Sequence, residues 1–137
     1  MSNEIDTKFG VPLTLQFEAA NPAANATTDF LLGQGGTGFV VPAGYKFIPV
    51  SLCIVSNVDL TAGTATGKVI DNGTELVNGP EPALADTVQR ATDNSNPGSG
   101  AEVAAGHVVG VSVTTNAAYA PVTADLDAIL VGYLVQA

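Results

Sequence analysis

The sequence predicts an all-β fold: an antiparallel β-sandwich, jelly-roll-like, with about eight strands and at most one short helix. Apolar residues recur at every second position in several segments, turns containing glycine or proline separate those segments, and no long segment has the helical period. These features are typical of two-sheet sandwiches. An immunoglobulin-like sandwich is the main alternative. The sequence has one cysteine and no tryptophan, however, so it lacks the disulfide and the core tryptophan of antibody domains.

Composition predicts one domain and limits its partners. The chain has 137 residues, 46% of them apolar, which suffices for one core, predicted to span residues 11–137 after an N-terminal arm at 1–10. Four basic residues against thirteen acidic ones give a net charge of −9. This balance argues against direct binding to nucleic acid or to an anionic membrane. No apolar run of membrane-spanning length and no signal-peptide pattern is present, which predicts synthesis in the cytoplasm.

The chain begins with a polar arm followed by a strand. Residues 1–9 are polar and of mixed charge, with Ile5 and Phe9 as apolar anchors. From Val11 to Phe17 apolar residues alternate with others, which predicts a half-buried strand. Pro12 lacks a backbone N–H and therefore suits an edge strand or the start of a strand.

The segment Gly38–Ser56 is the longest strongly apolar stretch, and its second half is predicted to form the central strand. β-branched and aromatic residues favour a strand, whereas Gly44 and Pro49 would interrupt a helix. Its apolar residues fall on both parities: Ile48, Val50, Leu52 and Ile54 on one, and Tyr45, Phe47, Cys53 and Val55 on the other. One face is therefore expected to fill the core and the other to contact a neighbouring subunit.

Turn signals separate the later segments. Asn72-Gly73 is the signature of a two-residue hairpin. Residues 81–92 are ambiguous between a short helix and a short strand. Three Ala-Gly turns precede predicted strands and are expected to place their glycine at positive φ: Gly44, Gly63 and Gly106.

The last two predicted strands are His107–Thr115 and Leu126–Val135. The first carries valines on one parity, whereas the second is apolar on both and is expected to be central or covered by a partner. The second faces of the two doubly apolar strands are the predicted subunit interface. Its candidate residues are Tyr45, Phe47, Val55, Ile129, Val131 and Tyr133.

No residue pattern indicates catalysis, a metal or a cofactor. His107 is the only histidine and Cys53 the only cysteine, so the usual zinc ligand sets cannot be assembled. No serine lies in a nucleophile-elbow pattern. Asp125 and Asp127 share a strand face and could bind a cation, but solvated carboxylates at a strand start are the simpler interpretation. The protein is therefore predicted not to be an enzyme.

Four segments resemble the small capsid decoration (cement) proteins of tailed bacteriophages. The resemblance covers residues 38–135 and lies in pattern and composition: GFVVPAGYKFIPVSLCIVS, LTAGTATGKVIDNGTEL, VAAGHVVGVSVTT and LDAILVGYLV. It implies a jelly-roll protomer that assembles as a homotrimer on the outer surface of the virion and stabilises the capsid. It also implies that the arm, Met1–Gly10, contacts the major capsid protein, with Ile5, Lys8 and Phe9 as candidate contacts.

A carbohydrate- or host-surface-binding module, of head-fibre or receptor-binding type, is the alternative function. Such a module would use two polar loops rich in turn-forming residues, at 33–38 and 93–100. Because almost no aromatic side chains are available there to stack on sugar rings, the capsid function is the preferred hypothesis.

Overall fold

The computed structural model describes residues 10–33 and 36–137, in which eleven β-strands and one short 3-10 helix are present. The strands are β1 (Val11–Ala19), β2 (Thr27–Asp29), β3 (Leu31–Leu32), β4 (Phe39–Val40), β5 (Tyr45–Ser56), β6 (Ala65–Asp71), β7 (Thr74–Glu75), β8 (Ala83–Leu84), β9 (Arg90–Asn94), β10 (Val108–Thr115) and β11 (Leu126–Gln136). The helix is Pro97–Ser99. The count exceeds the predicted eight because five of these strands are only two or three residues long.

The strands form two antiparallel sheets, which confirms the predicted all-β sandwich. One sheet has five strands in the order β3-β1-β11-β5-β9. The other has β2-β10-β6-β7, with β4 beside β10 and β8 beside β6. Neighbouring strands are distant in sequence: Leu15 pairs with Leu130, and Val69 with Val111. The fold therefore depends on long-range strand pairing rather than on local hairpins.

The core lies between the sheets and is built by the predicted alternation. β1, β6 and β11 each bury mainly one parity, β10 is buried on both along most of its length, and most of the buried apolar side chains form a single cluster. Fully burying a large apolar side chain contributes about 1.5–3 kcal/mol. The largest fully buried side chains include Phe17, Phe30, Phe47, Leu52, Ile54, Leu126 and Leu130.

A β-bulge in β5 changes which residues of this strand face the core. The register against β11 shifts between Val131, which pairs with Ser51, and Gly132, which pairs with Pro49. Val50 is therefore an extra residue, and the parity of β5 reverses across it. Before the bulge the odd positions such as Phe47 are buried, and after it the even positions such as Leu52 are. The prediction that Phe47 shares the outer face with Val55 is wrong for this reason.

The turn predictions are confirmed. All three Ala-Gly glycines have positive φ, at 84°, 75° and 82° in chain order, and Asn72-Gly73 joins β6 to β7. The ambiguous residues 81–92 contain no helix; they include β8 and the start of β9. No helix in the described part of the chain is long and apolar enough to cross a bilayer. The predicted arm lies outside the described residues except for Gly10.

Tyr119 places its hydroxyl in the core, where burial of a polar group is costly unless it is hydrogen-bonded. The residue is 2% exposed, and its hydroxyl has no protein partner within the part of the chain that the structure describes. Burial raises the pKa of this phenol, because the charged form is more costly to bury than the neutral one. The hydroxyl therefore costs stability while the ring contributes to the core.

We expect Tyr119→Phe to stabilise the protein by about 1 kcal/mol, because it removes a buried unpaired hydroxyl and keeps the ring. Thermal unfolding measures this directly.

Above about pH 10 the unfolded chain loses the Tyr119 proton while the folded chain keeps it, so this residue lowers stability as pH rises. The advantage of Tyr119→Phe should therefore grow at alkaline pH. A lower melting temperature in the variant would show that the hydroxyl is hydrogen-bonded in solution.

Candidate functional site

The two outer faces of the sandwich differ in chemistry. The outer face of the six-stranded sheet is polar: it presents Thr27 and Thr114, whose hydroxyls lie 3.1 Å apart, and the Lys68 side chain. Lys68 Nζ lies 2.6 Å from Glu75 and 3.8 Å from Glu81. The hydrogen bond to Glu75 raises the pKa of Lys68, outweighing the effect of its partial burial. The apolar side chains of this face, Val40, Val108 and Ile70, lie towards the end of the sheet near the Asn72-Gly73 turn.

The outer face of the five-stranded sheet is apolar at its centre. Cross-strand pairs place Ile129 beside Cys53 and Tyr133 beside Ile48. Paired residues share a sheet face, and their neighbours two positions along the strand do so as well. We call this group the apolar patch; it consists of Ile48, Cys53, Val55, Ile129, Val131 and Tyr133. Tyr133 is 38% exposed and the other five are half-buried, because no layer of the described chain covers them fully.

Four of the six predicted interface residues belong to this patch, and two do not. Val55, Ile129, Val131 and Tyr133 lie on the outer face. Phe47 is completely buried in the core, and Tyr45 is half-buried and packs against the core cluster. The bulge at Val50 is the cause, since it turns the N-terminal half of β5 over. The interface itself stays a prediction, with Tyr45 and Phe47 assigned to the wrong face.

The sequence reasoning missed two members of the patch. Ile48 was placed on the core face because its parity matches that of Leu52, and the bulge separates the two. Cys53 is half-buried on the outer face. Strict alternation gives no sign that Ile48 lies on the outer face. Cys53 shares its parity with Val55, which indicates the outer face.

Charged side chains border the patch at one height along the strands. Glu18 pairs with Asp127, Asp127 with Val55, and Val55 with Arg90, so these four residues form one row across four strands. Glu18, Asp127 and Arg90 are exposed. A depression of about 230 Å³ lies at the acidic end of the row, lined by Glu18, Asp127 and Ile129 among others. The face therefore carries acids towards one edge and a cation at the other.

The edge beside β1 is partly open. β1 pairs with β11 along its whole length but with β3 only at Phe17 and Glu18. A depression of about 550 Å³ lies here beside Thr14 and Gln16. An open edge offers backbone groups to an incoming strand. Pro12, as predicted, lies at the start of this edge and removes one donor from it.

Of the other sequence candidates, Asp127 borders the patch, whereas His107 and Asp125 lie away from it. His107 Nδ1 lies 2.7 Å from Asp71 Oδ1, at the end of the sandwich where the Asn72-Gly73 turn is. Asp125 and Asp127 both lie near the start of β11, and Asp125 accepts a hydrogen bond from the backbone of Asn21. Within residues 10–33 and 36–137, no three His, Cys, Asp or Glu side chains are grouped so that they could hold a metal ion.

The loops considered for carbohydrate binding have different surroundings. The loop at 93–100 is anchored to β5, since Ser95 Oγ donates to the Pro49 carbonyl at 2.8 Å and Asn96 caps the 3-10 helix. The loop at 33–38 lies partly outside the described residues.

Comparison with solved structures identifies the fold. The chain is similar to one in the acidic stable capsid structure of Helicobacter pylori bacteriophage KHP30, with a TM-score of 0.52, 9% identity and 93% of each chain covered. It is similar to one in the cyanophage Pam1 capsid asymmetric unit, with a TM-score of 0.52, 16% identity, and coverage of 92% of this chain and 86% of that one. It is also similar to the PRD1 vertex protein P5, with a TM-score of 0.51, 14% identity, and coverage of 88% of this chain and 95% of that one.

The fold is a jelly-roll-like β-sandwich. The prediction of fold class is thereby confirmed. At identities of 9 to 16% the likeness extends to the fold alone. No protein-family model matches the sequence, and no curated protein sequence matches it.

Proposed function

We propose that this chain is a structural protein of a bacteriophage virion, which decorates the outer surface of the capsid as a homotrimer and contacts the major capsid protein. The apolar patch is the observation that carries the proposal. A partly exposed apolar surface at the centre of a sheet face is characteristic of an interaction site, and here the centre of the opposite face is polar. A second copy of the chain is the partner that we assign to it.

The similar chains support a place in the virion. Two of them come from structures described as phage capsids and one is described as a vertex protein, and each covers most of this chain. The low content of charged residues, 12%, also suits a protein that buries much of its surface in an assembly. Cyclic symmetry closes such an assembly without leaving an unpaired patch.

The proposed contact with the capsid uses the N-terminal arm. Gly10 lies against the C-terminal end of β11, where a Cβ on it would meet Leu134, Val135 and Tyr133 at 3.1 to 3.3 Å. The arm therefore enters the sheet at the end of the patch that carries Tyr133. Nine residues of extended chain span about 30 Å, which is enough to contact a neighbouring protein.

Co-sedimentation with the shells of the phage that encodes the chain tests the function. We expect the wild-type protein to pellet with expanded shells, and Ile5→Asp to bind them roughly 10- to 100-fold more weakly, because it removes the burial of one large apolar side chain. Thr7→Asp adds the same charge at a polar arm position and should bind almost normally. Absence of wild-type binding to expanded shells would refute the capsid function. Equal binding by all three proteins would refute the role of the arm.

A further inference from the structure

The row of charges across the outer face has ends that do not meet within one protomer. The four strands that carry Glu18, Asp127, Val55 and Arg90 are spaced by about 4.8 Å, so Glu18 and Arg90 are separated by about 14 Å. None of the ion pairs in the described part of the chain includes these three charged residues. Arg90 is also the only arginine in the sequence.

Symmetry determines which residues of two copies can meet. A rotation axis parallel to the strands keeps each residue at the same position along the strand direction. It brings one edge of a sheet towards the opposite edge of the same sheet in the next copy. Residues of one row then face residues of the same row in the next copy. For this row, Arg90 at the β9 edge would approach Glu18 and Asp127 near the β1 edge, where the charges are opposite.

We propose that a second copy of this chain covers the apolar patch, related by an axis roughly parallel to the strands, and that its Arg90 pairs with Glu18 and Asp127. The inference rests on the self-assembly in the proposed function and adds its geometry. The depression of about 230 Å³ beside Glu18, Asp127 and Ile129 receives the guanidinium. Arginine suits this position, since its planar group can bind carboxylates through two hydrogen bonds.

A two-fold axis perpendicular to the strands, which would give a dimer in place of the proposed trimer, is the competing geometry. It would invert the height and bring the row of Glu18 and Asp127 towards Lys46, which pairs with Val135 at the other end of the face. Lys46 already has a partner, because its Nζ lies 3.1 Å from Glu102 within the same protomer. A perpendicular axis would bring Arg90 towards Glu102, but that carboxylate already pairs with Lys46 in its own protomer. The charge pattern therefore favours the parallel axis.

Charge reversal tests the geometry through the mass of the assembly, measured by sedimentation over a range of concentrations. We expect Arg90→Glu to weaken assembly by roughly 10- to 100-fold, since it places like charges together at the contact. The double variant Arg90→Glu with Asp127→Arg should recover most of the affinity. Two controls carry matched charge changes: Lys46→Glu, which tests the competing axis, and Asp59→Arg, which lies in an exposed loop. Both should assemble like the wild type.

The outcomes separate this inference from the proposed function. Dissociation by Arg90→Glu, rescued by the swap, supports it. Dissociation by Lys46→Glu with no effect of Arg90→Glu would overturn it, as would failure of the swap to rescue assembly or a wild-type protein that stays monomeric. Shell binding is read in the separate co-sedimentation experiment, so a virion protein with another subunit geometry would still pellet with shells.

Discussion

Phe47→Ala should lower the free energy of unfolding by about 3–5 kcal/mol, the range for truncating a buried phenylalanine, and leave a cavity in the core. Phe47 is completely buried, and its backbone exchanges two hydrogen bonds with Val103, at 2.9 and 2.8 Å. Its ring also lies against Gly132, where a Cβ would come within 2.5 Å of it. Few side chains could move into the space that the ring leaves. Because the free energy of unfolding of a stable domain is about 5–15 kcal/mol, this loss is a large share of the total.

Ile48→Ala is the matched control for this prediction. Ile48 is the next residue on the same strand, but it is half-buried on the outer face. Its truncation should cost the isolated protomer clearly less than that of Phe47 and weaken assembly instead. Denaturant unfolding followed by circular dichroism, repeated at several protein concentrations, separates the two effects, since assembly makes stability depend on concentration. Equal losses of protomer stability in the two variants would contradict the assignment of Phe47 to the core.

Much of the fold was predictable because alternation and turn chemistry act locally. In β11 the parity of the buried residues is uninterrupted from Leu126 to Gly132, so the outer positions Ile129, Val131 and Tyr133 could be read from the sequence. Glycines that adopt positive φ mark turns for a steric reason that needs no knowledge of the partner strand. The same holds for the Asn72-Gly73 hairpin.

The bulge in β5 could not be predicted in this way. A bulge exists only relative to a partner strand, and the partner of β5 is β11, whose residues follow some eighty positions later. Gly132 lies opposite the bulge and is the one local sign of it, because a larger residue there would collide with Phe47 and with the Ile48 carbonyl. One extra residue reverses every side chain that precedes it. The assignments of Tyr45, Phe47 and Ile48 were wrong together for that single reason.

The charged row could not be predicted from the sequence either. Glu18, Asp127 and Arg90 lie in three strands that are widely separated along the chain, and only the strand order and register align them. Composition indicated an assembly and periodicity indicated a second apolar face. The direction in which copies are arranged required the three-dimensional pairing.

Ile129→Asp should separate the subunits while the protomer stays folded. Ile129 lies at the centre of the apolar patch, between Gln16 on β1 and Cys53 on β5. In the assembly the carboxylate would be buried against apolar groups, and the Arg90 assigned to the neighbouring depression already pairs with Glu18 and Asp127, so we expect the dissociation constant to rise by about 100-fold or more, roughly 3 kcal/mol. In the free protomer this position is partly solvated, and the loss of unfolding free energy should stay near 1 kcal/mol.

Thr114→Asp is the control that makes the result specific. It adds the same charge near the C-terminal end of a long strand, but on the polar outer face of the opposite sheet, where Thr114 is exposed. Sedimentation gives the assembly mass, and circular dichroism checks that each protomer is folded. If Ile129→Asp unfolds the protomer at the concentration where it dissociates, the patch supports the fold itself. If both variants assemble like the wild type, another surface joins the subunits, and the polar face must then be tested, since it is the remaining broad sheet surface of the sandwich.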